Sequence, residues 1–321
     1  MSILCVIIGH LWGGAGTSVL LSAFGVHVFF VLSGYLITSL LQKERSRDGR
    51  INLLAFYRRR CFRIFPAAFA YIFAIALLSP SSRSGLIYAV TYTVSYHPTG
   101  VPLVFQHLWS LSVEEQFYLL WPLALLLGFR QRAWIAWSAM LAAAGFRLAV
   151  VLNLLHLPVD YLHFSFPGTM DSIAAGCLLA IYEPQLRARC SWMVEHGAIS
   201  IAMPLTAWVL ETSLWGNLSA FWGAVPILIA LWVFLLVERR DWILNNPVAS
   251  TFGVLSYSLY LWQQPFAAER RYPAMLALLL IAACATGSYL LIEKPMLRMG
   301  ASIESRRKRT ETPSATLVPT D

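Results

Sequence analysis

The stretch GLIYAVTYTVSYH, Gly85 to His97, is apolar enough to enter a membrane but only thirteen residues long. A helix needs about twenty residues to cross ~30 Å of hydrocarbon. If this stretch crossed, every later loop would change sides, so its reading decides the topology. The loop charges reject the crossing. With Met1 inside and 85–97 not counted, five basic segments share the inner side. They are Gln42–Arg63, FRQR (Phe129–Arg132), Glu183–Arg189, ERR (Glu238–Arg240) and the tail after Lys294. The positive-inside rule expects that arrangement. One ERR, Glu269–Arg271, falls outside against the rule, its Glu partly offsetting its two Arg. Gly85–His97 is therefore read as an interfacial or re-entrant helix.

Composition agrees with a chain that lives in lipid. Hydrophobic residues make up 58% and charged residues 12%, about half the ~25% charge of soluble domains. Continuous rather than alternating apolar runs select helices over a barrel. Spans are expected near 1–12, 24–41, 62–79, 107–128, 133–153, 169–182, 198–214, 219–237, 250–266 and 273–292. The expected fold is all-α: a polytopic transmembrane helical bundle of about ten spans, multi-pass in the cell (inner) membrane, both termini cytoplasmic. Only nine residues precede His10, about 13–14 Å of helix, and WGGAGTS follows as a turn signal. The first span is thus expected to be truncated, with residues missing before Met1. Residues 1–298 read as the membrane domain and 299–321 as a disordered cytoplasmic tail.

Other classes find little support. The net charge of +8 sits in short loops, so it reads as topology and needs no nucleic acid. Cys5, Cys61, Cys177, Cys190 and Cys284 are scattered and lack a CxxC, so neither a disulfide framework nor a metal site is indicated. The N-terminus lacks the basic region of a signal peptide. No GxSxG, P-loop, HExxH or GxGxxG occurs.

Ionisable groups in apolar spans are costly and so point to function. His10 ends the first run; His27 opens the second and is a weaker candidate; His107 opens the run that carries paired acids. In SLSVEEQFYLLWP (Ser110–Pro122) adjacent residues lie about 100° apart on a helix, so Glu114 and Glu115 cannot share a face. Glu114 shares one with Phe117, Tyr118 and Trp121. Glu115, three residues after Ser112, could instead close a capping box, which leaves Glu114 as the acid for chemistry. Gln116 and Tyr118 are supporting candidates. In RRRCFR (Arg58–Arg63), Arg59, Arg60 and Arg63 form one basic face. That face suits either lipid phosphate or a polyphosphate cosubstrate, which arginine forks recognise well. A phosphate site on one side and a His with a carboxylate on the other would fit an acyl-CoA donor and a hydroxyl acceptor.

Five segments in order resemble the membrane-bound acyltransferase-3 family: HVFFVLSGYLIT (His27–Thr38), FYRRRCFRIFP (Phe56–Pro66), HLWSLSVEEQFYLLWP (His107–Pro122), FGVLSYSLYLWQQPF (Phe252–Phe266) and LIEKPMLR (Leu291–Arg298). The resemblance implies a ten-helix membrane domain. It implies transfer of an acyl group, usually acetyl, from acyl-CoA as cosubstrate to a hydroxyl of a glycan, lipid-linked sugar or glycosylated metabolite. It marks His10 as the essential histidine and Arg60 and Arg63 as the R-x-x-R pair. Two departures matter. The family's basic residue eleven positions before the histidine would precede Met1, and Gln263 stands where the family often has His. Gln cannot act as a base near neutral pH, so position 263 reads as structural or acceptor-shaping. On this view Arg59, Arg60 and Arg63 hold the donor, His10 is the base, and Glu114 orients it. The alternatives are a transporter or flippase for a lipid-linked glycan, or an inactive truncated homologue.

Overall fold

A computed structural model describes residues 2–12, 17–97, 100–214, 223–239, 246–268 and 271–311. The described residues form helices and turns and no strands. The longer helices, numbered here in chain order, are α1 (Ser2–Trp12), α2 (Thr17–Asp48), α3 (Leu53–Leu78), α4 (Leu108–Gly128), α5 (Arg132–Val151), α6 (Phe166–Arg189), α7 (Gly197–Leu214), α8 (Ala224–Arg239), α9 (Pro247–Trp262), α10 (Ala274–Ser288) and α11 (Lys294–Glu311). A π-turn at Tyr289–Glu293 joins α10 to α11. Parts of five sequence features lie outside the described residues: the glycine turn after Trp12, the start of the 219–237 run, the two ERR triplets and the end of the tail.

The stretch Gly85–His97 forms no long helix. It is broken into a short helix, Leu86–Val90, and a 3₁₀ turn, Val94–Tyr96. The basic segment Gln42–Arg63, read as a loop, is almost wholly helical. α2 runs on to Asp48, Gly49 turns the chain at φ +69°, and Asn52 caps α3 by accepting a hydrogen bond from the Ala55 amide at 3.0 Å. Glycine takes that left-handed angle without a Cβ clash, and Asn satisfies an otherwise orphaned amide. Arg58–Arg63 therefore stand on the first turns of α3. At the other end, α11 runs to Glu311, into the segment read as a disordered tail.

Among the described residues, five helices are long and apolar enough to cross a membrane: Leu21–Asp48, Leu53–Leu78, Arg132–Val151, Tyr161–Arg189 and Ala274–Ser305. α1, eleven residues long, reaches about 16 Å. α4 is long enough, but its first turns carry Ser110, Ser112, Glu114, Glu115 and Gln116. The distribution of side chains is that of a membrane protein. Leu127 is 90% exposed and Trp134 77%, while Glu114, Asp171, Arg147 and Gln263 are buried. Water would penalise such an apolar exterior, whereas lipid accepts it and confines polar groups to the interior.

α2 is the hub and packs against α1, α4, α6, α7 and α8. It meets α6 at paired glycines. A Cβ on Gly34 would lie 2.0 Å from the Ile173 carbonyl oxygen, and one on Gly176 2.0 Å from that of Val31. Small residues permit such backbone approach in membrane bundles. α3 and α11 pack together, as do α5 with α6, α7 with α8, and α9 with α10.

Candidate active site

The arginine face and the acidic motif meet in one cavity. It has a volume of about 2100 Å³, and its lining includes Arg59, Arg60, Arg63, Ser33, Glu114 and Tyr118. Ser33 donates to Glu114 Oε1 at 2.5 Å, and the Tyr118 hydroxyl donates to the same oxygen. The Arg60 guanidinium lies 5.0 Å from the Tyr118 ring centroid and 5.7 Å from that of Phe56. A guanidinium over an aromatic face is held electrostatically, so the two rings fix Arg60 in place. Arg58 and Arg59 turn instead towards Glu304 of α11, which pairs with both. Arg59 also reaches Glu44 at 3.2 Å. Leu297, Gly300 and Glu304 of α11 line the cavity too. Ser258 of α9 donates to Glu293, which lies within electrostatic reach of Arg63.

The capping box expected at Ser112 and Glu115 is absent. α4 begins earlier, at Leu108, so both residues already lie inside the helix. The Ser112 hydroxyl bonds back to the Leu108 carbonyl at 2.9 Å, and Glu115 Oε1 is buried without a hydrogen-bond partner. Gln116 has a different task. Its carbonyl accepts from the Tyr96 hydroxyl at 2.7 Å and its amide donates to Ser95 at 3.3 Å. It thereby clamps the end of the broken 85–97 segment onto α4.

His10 is not in the lining of the large cavity, although Ser2, Ile3, Leu4 and Val6 of its helix are. It stands one turn beyond Val6, about 6 Å along α1. Its Nδ1 lies 2.7 Å from Gln263 Oε1. The hydrogen bond expected between His10 and Glu114 is not formed, because Ser33 and Tyr118 hold the carboxylate. A polar file links the two places. Ser110, one turn before Glu114, is 2.6 Å from the Tyr260 hydroxyl, which donates to the His107 carbonyl. The His107 ring packs against Tyr71 and Tyr260, with centroids 5.4 Å away in each case, and it faces His10 electrostatically.

Gln263, read from the sequence as structural or acceptor-shaping, touches His10 directly. Four residues escaped the sequence reading. Ser33 and Tyr260 complete the polar file. Arg147 and Asp171 form a fully buried ion pair at 2.7 Å, and Arg147 also donates to the Gly168 carbonyl at 2.7 Å. Their signal was present, since both are charges inside apolar runs. His27 belongs to this second cluster, with its Nδ1 2.7 Å from the Ser172 hydroxyl. Ser172 is fully buried, so this arrangement reads as packing rather than a reaction centre.

Comparison with known proteins agrees with the motifs. The sequence profile described as an acyltransferase domain matches residues 1–293. O-acetyltransferase OatA of Staphylococcus aureus is 28% identical over 318 residues, covering 86% of this chain and 53% of its own length. A second Staphylococcus aureus protein, SACOL0978, provisionally named an O-acetyltransferase, is 30% identical over 275 residues, covering 74% of this chain and 45% of its own. The chain thus spans about half the length of the curated relatives it matches. No solved structure matches. With a profile match over almost all of the helical bundle, and with the family's arginine and acidic motifs brought into one cavity, this chain belongs to the acyltransferase-3 family of acyltransferase domains.

Proposed function

We propose that this chain is an integral-membrane O-acyltransferase that moves an acetyl group from acyl-CoA to a hydroxyl of a glycan, lipid-linked sugar or glycosylated metabolite. The observation that carries the proposal is the shared cavity: Arg59, Arg60 and Arg63 line the same space as Glu114 and Tyr118. Arginine clusters suit the phosphates of CoA, and the apolar walls suit its pantetheine arm. The names of the relatives support acetyl as the group and oxygen as the acceptor atom. The chain would cross the cell (inner) membrane about ten times, with both termini and the arginines on the cytoplasmic side.

In the proposed reaction the acceptor oxygen attacks the thioester carbonyl while His10 takes the hydroxyl proton. The carbon–sulfur bond breaks as the carbon–oxygen bond forms. The proton then passes from His10 to the departing thiolate, giving the acyl ester and free CoA. Glu114 balances Arg60 and Arg63 and keeps Tyr118 and Arg60 in register. CoA acts as a cosubstrate rather than a resident cofactor.

The test uses purified protein in nanodiscs. Wild type should bind acetyl-CoA, and the double variant Arg60→Ala, Arg63→Ala should lose that binding. His10→Ala should keep binding and lose transfer. A wild-type protein that moves lipid-linked glycan but never binds acyl-CoA would instead support the transporter reading.

A further inference from the structure

A second pocket opens between α2 and α6, at the same end of the bundle as the arginine face. It has a volume of about 700 Å³ and is lined by Ser39, Lys43, Ser46 and Arg47 of α2 and by Glu183 and Arg187 of α6, with Tyr35 deepest along α2. Ser39, Lys43 and Arg47 follow one another at i, i+4 and i+8, a single stripe of the helix. The acid in the lining is already satisfied. Glu183 accepts from the Tyr35 hydroxyl at 3.1 Å and from Arg187 at 2.7 Å, and Arg187 also pairs with Glu238 at 2.8 Å. Arg47 bonds its sequence neighbour Asp48, both exposed, a kind of contact worth little in water. Lys43 makes no hydrogen bond or ion pair among the described residues. The Ser39 hydroxyl is buried without a hydrogen-bond partner. A helical serine often bonds the carbonyl four residues back, as Ser112 does. Ser39 leaves its donor unmet, which is costly in a buried place.

The pocket lies where apolar surface gives way to charge. On α2 the exposed apolar side chains end with Leu36 and Leu40, and exposed Lys43, Ser46 and Arg47 follow. On α6 the partly exposed Tyr182 immediately precedes Glu183. Tyrosine is enriched at the headgroup level of a bilayer. We propose that this pocket holds the phosphate of an anionic membrane lipid, with Lys43, Arg47 and Arg187 as counter-charges and the Ser39 hydroxyl donating to a phosphate oxygen. Three cations then face one neutralised carboxylate. Basic pockets between membrane helices take lipid phosphates in this way. The site is separate from the donor cavity. The two open on neighbouring faces of α2, with Leu36 and Leu40 lining one and Ser39 and Lys43 the other. Ser39 stands about 7–8 Å along α2 from Gly34. A bound lipid would therefore tie α2 to α6 just beyond their glycine crossing.

The test compares wild type with the double variant Lys43→Gln, Arg47→Gln and with a control, Arg50→Gln, Arg189→Gln. The control residues are exposed at the same end of the bundle and line neither pocket. Phosphatidylglycerol and phosphatidylcholine binding are titrated by native mass spectrometry in detergent, and Tm is measured in nanodiscs of each lipid. Wild type should prefer phosphatidylglycerol and melt higher in it. Each basic residue near an anionic lipid contributes about fivefold in affinity. The site variant should therefore bind phosphatidylglycerol about 10- to 30-fold more weakly and lose the difference in Tm, while the control keeps both. A wild type with no preference between the lipids overturns the site. So does equal loss in the two variants, because the charges would then act only as a diffuse field. A soluble arm separates the sources of phosphate. Inorganic phosphate added to wild type in phosphatidylcholine nanodiscs should leave Tm unchanged. If it raises Tm as far as phosphatidylglycerol does, and the site variant cancels both effects, the pocket serves a soluble anion and the lipid assignment falls. Should the double variant not fold, Lys43→Gln alone, at an exposed position, decides by the same titration. Binding about fivefold weaker supports the site, and unchanged binding removes it. No outcome bears on the acyl-transfer reading, which rests on the other cavity.

Discussion

Tyr118 donates its hydroxyl hydrogen to Glu114, one helical turn before it, while its ring carries the Arg60 guanidinium 5.0 Å from the centroid. One side chain therefore joins an acid to a base that do not bond each other directly. The acid is kept from collapsing onto the arginine, so the guanidinium's donors are not spent on the carboxylate.

Arg60→Lys should therefore not be conservative. Lysine keeps the charge but loses the planar fork and the stacking on Tyr118 and Phe56. The donor KM should rise about tenfold, equivalent to roughly 1.4 kcal/mol, with kcat little changed. Steady-state kinetics with varied acetyl-CoA would show this, and an unchanged KM would exclude Arg60 from the donor site.

If the arginines hold the donor as proposed, Glu304 of α11, which pairs with Arg58 and Arg59, would compete with the donor's phosphates. Its pairs with Arg58 and Arg59 are partly exposed, with side-chain exposures of 19%, 41% and 21% for Arg58, Arg59 and Glu304. Such pairs contribute about 0–1 kcal/mol. Glu304→Gln should tighten acetyl-CoA binding by up to about fivefold, with the gain shrinking as salt is raised. Titration calorimetry at two ionic strengths measures it. Weaker binding would mean that Glu304 supports the site instead of masking it.

The crossing of α2 and α6 gives a stability test with its own control. Gly34→Ala places a Cβ 2.0 Å from a backbone oxygen, whereas a Cβ on Gly145 meets nothing within 4 Å. Gly34→Ala should fail to fold or lose several degrees of Tm in detergent. Gly145→Ala, inside α5, should match wild type or gain about 0.5–1 kcal/mol from helix propensity. Equal melting of both variants would contradict the close approach.

Helical spacing made part of this site legible beforehand. The i, i+3 and i, i+4 positions of Arg59, Arg60 and Arg63 put them on one face, and the structure gathers them in one cavity. The 100° step between Glu114 and Glu115 separates the acid that lines the arginine cavity from the one that does not. The helix ends were less legible. Ser112 looks like a cap, but α4 starts a turn earlier, and the basic Gln42–Arg63 segment hides a tight turn between two helices. The partner of His10 was out of reach. Gln263 lies 253 positions away, and no local pattern can announce a contact made by tertiary packing. Arg147 and Asp171 differ: each breaks an apolar run, but only the folded chain shows that they belong to one another.

That ion pair also bears on how the protein is made. Arg147 leaves the ribosome before Asp171, which follows 24 residues later. Alone in lipid, an arginine costs up to about 2.5–3.5 kcal/mol by insertion scales, that figure applying at a helix centre. α5 thus has reason to wait at the translocation channel until α6 arrives, so that the two enter the bilayer as a neutralised hairpin. Asp171→Asn would then appear first as failed insertion of α5, before any acyl group is transferred.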